Sequence, residues 1–164
     1  MTGEPFPQRV QALRDAWRER REVKGLASNH DYGSQYALLL TIHRWAAQAA
    51  RQIEEIYGAD IAVMVSPAPD KTGIPAFQFV LADAYTVSFS LEERRRMGNS
   101  RWHISVSVAA GGSGGVVAAG PERRNGQWTR GRVEDLLLSV LGAYERAMAD
   151  RPAPGSRDIH REAS

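Results

Sequence analysis

The feature that most narrows the fold of this chain is a change in the spacing of its apolar residues, from helical to alternating near Asp60 and back to helical near residue 130. Between those points Ile61, Val63 and Val65, then Phe77, Phe79 and Leu81, then Tyr85, Val87, Phe89 and Leu91, then Trp102, Ile104, Val106 and Val108 each recur at every second position. A period of two places alternate side chains on opposite faces of a strand, so each segment offers one apolar face and one polar face. The connections are short: Pro67 to Pro75, Ala82 to Ala84, Glu92 to Arg101 and the glycine-rich Gly111 to Gly115. Short links between successive strands call for antiparallel neighbours, hence a meander with one face to be covered.

The flanking segments supply the cover. Pro7 suits a first helical position, and Val10, Leu13 and Trp17 follow at spacings of three and four, which predicts a surface helix over residues 8–23, after which Gly25 to Gly33 breaks the pattern. Ser34 is a suitable N-cap for a second helix. Leu38, Ile42, Trp45, Ala49, Ile53 and Ile56 mark its buried side, Leu39, Ala46 and Ala50 widen that side, and Gly58 can end it in a left-handed conformation. From about Gly131 to Ala149 a third helix carries Val133, Leu136, Leu137, Val140, Leu141, Tyr144 and Met148 as one stripe. The fold class is therefore α+β, an antiparallel meander of four to five strands with two long helices on one face, in the order α-α-β-β-β-β-(β)-α. The weaker parts are Val116 to Ala119 and, after the Asn125-Gly126 turn signal, Gln127 to Thr129 as a short edge strand. The expected organisation is a flexible stretch over residues 1–7, one domain over 8–149 and a disordered tail over 150–164.

Composition removes several classes of function. With no cysteine among 164 residues, disulfides, thiolate metal sites and thiol nucleophiles are excluded, and nothing points to an oxidising compartment. The opening MTGEPFPQRV has no basic stretch followed by an apolar one, so the reading is cytoplasmic, without membrane insertion. Of the 21 basic residues only Lys24 and Lys71 are lysine, a bias that suggests a GC-rich, bacterial source. The net charge of +2 is uneven, because residues 84–132 hold eight arginines against three acids.

Positions facing away from the apolar side of the third and fourth strands are short and polar: Thr86, Ser88 and Ser90 on one, His103, Ser105 and Ser107 on the other. Pairing apolar with apolar positions about a centred loop matches Phe89 with Ile104, Val87 with Val106 and Ser90 with His103. Wet sheet faces commonly carry charged residues that discourage contact with another sheet, and this row lacks Lys, Arg and acids. It therefore marks a candidate binding face for a protein partner, a second copy of the chain or a ligand held beneath the N-terminal helix. The loop Glu92 to Arg101 brings Arg94, Arg95, Arg96 and Arg101, and the turn with Arg123 and Arg124 falls at the same end of a regular meander, so these six form a candidate anion-binding rim. No aromatic residue is interleaved with them for base stacking, which weighs against a dedicated nucleic-acid interface.

Catalytic, cofactor and metal constellations are not expected. His43 has no partner ligand at helical spacing and His160 lies in the tail, while His30-Asp31 is the better catalytic candidate among weak ones. Asp70-Lys71-Thr72-Gly73 resembles the phosphorylation signature of P-type ATPases over four residues, but it departs at Ile74, and a proline-flanked turn accounts for it. The favoured function is a non-enzymatic protein-interaction or self-association module that uses the Ser/Thr-lined sheet face or a strand edge. Two alternatives are a small-molecule carrier, since the element order is similar to that of helix-grip ligand carriers, and polyanion contact through Arg94 to Arg96.

Overall fold

The computed structural model describes residues 3–70, 72–73, 75–110, 116–119 and 128–151, with backbone alone at 116–119. Among the described residues three α-helices, α1 (Phe6–Ser28), α2 (Tyr32–Tyr57) and α3 (Arg130–Ala149), accompany five strands, β1 (Val63–Val65), β2 (Ala76–Leu81), β3 (Tyr85–Arg96), β4 (Asn99–Ala110) and β5 (Val116–Ala119). The strands form one antiparallel sheet in the order β1-β2-β3-β4-β5, so the meander and its helical cover are as the periodicity predicts. Arg123, Arg124, the expected turn at Asn125-Gly126, the glycine-rich link 111–115 and the tail beyond residue 151 lie outside the described residues.

One core joins the two layers. Phe77, Phe79, Val87, Phe89, Ile104 and Val108 from the sheet meet Leu38, Leu39, Ile42 and Ala46 of α2, with Val133, Leu137 and Val140 of α3 closing one end. Rings organise its centre: Phe77 stacks on Phe89 at 4.8 Å between centroids, Trp128 tilts against Phe89 at 6.0 Å, and His43 stands edge-on to Phe77 at 4.9 Å. The Nε2 atom of His43 lies 2.8 Å from the Ser66 carbonyl oxygen, so this histidine ties α2 to the end of β1. Ile56, at 81% exposure, and Met148, at 43%, are exposed although their spacing places them on the buried sides of their helices.

Three features differ from expectation. The first helix continues to Ser28 through Gly25, because Val23 and Ala27 are buried against the body and outweigh glycine's poor helix propensity. Asp31, not Ser34, caps α2: its Oδ1 accepts a 2.7 Å hydrogen bond from the Ser34 backbone N–H. That earlier start lets Tyr32 pack edge-on against Trp102 of β4 at 4.9 Å. Third, the segment Glu92 to Arg101 is not a loop. Strands β3 and β4 continue through it as far as Arg96 and Asn99, and only Met97 and Gly98 turn the chain, with φ of 50° and 80°. Two successive left-handed residues make a tight hairpin whose twist matches that of its strands. The register consequently pairs Leu91 with Ile104, Phe89 with Val106 and Ser90 with Ser105, two residues away from the centred-loop pairing.

Candidate functional site

Apart from β5, whose side chains are not described, the sheet face opposite the helices can be followed row by row. Met64, Val80, Thr86 and Ala109 form one cross-strand row. Gln78, Ser88 and Ser107 form the next, and Ala76, Ser90 and Ser105 the third. Each of these residues alternates along its strand with a core residue, so period-two geometry fixes its outward direction. Gln78 Nε2 donates to Ser88 Oγ at 3.4 Å, and Met64 at the β1 edge is 64% exposed. The result is an uncharged field broader than the Ser/Thr row legible in the sequence, extended by Met64, Ala76, Gln78, Val80 and Ala109.

The next rows change character. His103 pairs with Glu92, not with Ser90, and its Nε2 lies 3.5 Å from Glu92 Oε2. Arg94 then faces Arg101, and Arg96 faces Asn99. The uncharged stretch therefore ends at Ser90 and Ser105, and His103 belongs to a charged end of the same face.

Beyond Leu91, whose N–H donates to the Pro75 carbonyl at 3.0 Å, β2 no longer accompanies the hairpin. Residues 92–101 form a two-stranded ribbon exposed on both sides. Arg94, Arg96 and Arg101 share its outer side. On the other side the Glu93 carboxylate accepts from Arg95 at 2.8 Å and from Ser100, and these bonds hold its pKa below the usual carboxylate range. Two glutamates against four arginines leave the ribbon modestly cationic.

A second concavity lies elsewhere. A cleft of about 1190 Å³ opens between α1, the start of α3 and the base of β4. Ala16, Val23, Trp45 and Trp128 give it apolar surface, and Lys24, Arg101 and Arg130 line it as cations. Glu19 spans it, accepting from Trp45 Nε1 through Oε1 and lying 3.6 Å from Arg130 through Oε2. Its parts come from four elements far apart in the chain, so no local pattern announces it. The space between sheet and α3, where a helix-grip carrier would hold its ligand, is packed by Val133, Leu137 and Val140.

The remaining candidates have structural roles. Asp31 is the α2 cap, and His30 is tied to β4: its carbonyl accepts from the Trp102 N–H at 2.8 Å and its Nδ1 lies 3.3 Å from the Trp102 oxygen. Asp70 folds onto its own turn, accepting from the Thr72 N–H at 2.9 Å and hydroxyl at 2.8 Å, which lowers its pKa. Among the described residues there is no group of three potential metal ligands and no helix long and apolar enough to cross a membrane. Comparison of this chain with protein-family models, with curated proteins and with solved structures returns no match.

Proposed function

We propose that this chain is a non-enzymatic interaction module whose open sheet face docks against a second copy of itself or against a similarly flat protein surface. The observation that carries the reading is the uncharged field of three cross-strand rows from Met64 to Ser105. Hydroxyl and amide groups both donate and accept, so such a field complements its own copy without burying an unpaired charge. Short side chains also lose little rotamer entropy when covered. The arginine-rich, cysteine-free composition supports a bacterial cytoplasmic setting.

Light scattering on the full chain tests this directly. At tens of micromolar the expected mass is about twice 18.1 kDa. Ser88→Lys with Ser105→Lys sets two ammonium groups on the field and returns the mass to that of a monomer, while the far-ultraviolet circular dichroism stays that of wild type because both side chains point away from the core. A monomeric wild type, or a dimer indifferent to both lysines, rejects self-association through this face.

The cleft favours a second reading, the binding of an anionic aromatic molecule, because apolar and indole surface there sits beside Lys24, Arg101 and Arg130. The dye 8-anilinonaphthalene-1-sulfonate has that chemistry. Its fluorescence on binding is expected to fall roughly tenfold in Lys24→Glu/Arg130→Glu, since attraction becomes repulsion. Equal binding by wild type and variant would remove the cleft from consideration.

A further inference from the structure

The spacing of α1 predicts an apolar stripe, and the structure leaves that stripe uncovered, because residues 6–18 of the helix are exposed on every side. Phe6, Val10, Leu13 and Trp17 are 74%, 48%, 61% and 55% exposed, whereas α1 holds to the body through Val23 and Ala27. At 3.6 residues per turn the four exposed side chains fall within about 60° of one another. They are separated by four, three and four residues, the alternation of a two-position helical seam. A stripe that narrow suits a helix lying along it, whereas a helix that settles into a lipid interface needs a wider apolar arc.

Charge selects the partner. Arg9 lies along one border of the stripe and Arg14 and Arg21 along the other, while Arg20 and Lys24 continue the seam at its C-terminal end. Arg20 is drawn over the Trp17 ring at 5.3 Å. The acids Asp15, Glu19 and Glu22 occupy the opposite arc of the helix. Two copies of α1 would face arginine with arginine across at least one border in either orientation, so self-pairing opposes itself. A helix with apolar seam positions and acidic borders meets every one of these groups favourably.

We propose that the exposed stripe of α1 is a docking site for an acidic amphipathic helical segment of a protein partner, a site separate from the open sheet face and independent of it. The probes are two synthetic peptides of three heptads with leucine at both seam positions. One carries glutamate at all border positions and the other lysine; like charges keep each from pairing with itself. Titration of the labelled acidic peptide with the full chain should give saturable binding, with the lysine peptide about tenfold or more weaker. Leu13→Asp should weaken the acidic peptide to a similar degree, and Arg9→Glu/Arg14→Glu/Arg21→Glu should reverse the preference between the two. All four positions are exposed, so circular dichroism of the variants should match wild type. Equal binding of both peptides, binding of neither, an unreversed preference in the triple variant, or adsorption to anionic phosphatidylserine vesicles without peptide binding overturns the proposal. The sheet-face reading fails separately, on the mass of the lysine double variant.

Discussion

Replacing Phe89 by alanine is expected to lower the unfolding free energy by about 3–5 kcal/mol, the range for emptying an aromatic site in a packed core. Phe89 is fully buried and lies in ring contact with both Phe77 and Trp128, so β2, β3 and the segment leading into α3 lose contacts at once. Domains of this size have roughly 5–15 kcal/mol in total, which makes the loss visible in any denaturant titration as a lower midpoint with an unchanged slope. Phe89→Leu fills most of the space and should cost about half as much or less. The neighbouring positions supply the control, because Ser88 and Ser90 point to the other face. Changing either to alanine should move stability by no more than about 0.5 kcal/mol. Comparable losses at positions 88 and 89 would show that the two faces are not assigned as described, and the binding face would lose its basis.

That contrast rests on what alternation encodes. A period of two states which residues share a face, and every outward position named on β3 and β4 follows from it. Parity alone does not separate one register from another displaced by two residues, since both match apolar with apolar. The choice falls to the hairpin tip, where Gly98 is a turn former but Met97 is an uncommon left-handed residue, so the local signal was weak. The ribbon is not legible in the sequence for a related reason. With water on both sides, Glu92 to Arg101 has no apolar side to alternate, and its pairing follows from the turn and from continuation of two strands already in register.

Helix α1 shows the opposite limit. Spacing declares that a stripe exists without saying what lies against it, and the same four residues would fit a core or a partner. Which face of α1 meets the body is decided at its C-terminal end, where Val23 and Ala27 are buried. The connection to α2 at Asn29 to Asp31 then holds the angle between the two helices.

Gln35 controls that connection, and its replacement is the second change with a large expected effect. At 4% exposure it is the buried polar residue of the described core, and its Nε2 donates to the Asn29 carbonyl at 2.7 Å and the Leu26 carbonyl at 3.3 Å. Both acceptors belong to the end of α1, where helical carbonyls have no partner within the helix. Leu26 also accepts from the Asn29 N–H, so the Asn29 oxygen is the one left bare when the amide is removed. Gln35→Ala should cost about 2–4 kcal/mol from that orphaned acceptor and the space left behind. Gln35→Met keeps the volume and isolates the polar part, about 1–3 kcal/mol. Gln35→Glu sets a carboxylate against carbonyl oxygens, and burial raises its pKa above the unfolded value of about 4.3. The penalty is then smallest below that value, where the protonated acid can donate, and it grows as pH rises through the folded-state pKa. Amide hydrogen exchange reads the consequence for α1: its protection should fall in Gln35→Ala while that of the β3–β4 pairs is retained up to global unfolding. A methionine variant as stable as wild type, with α1 equally protected, would mean that packing at Val23 and Ala27 alone fixes the helix and that the amide contributes nothing to presenting the stripe.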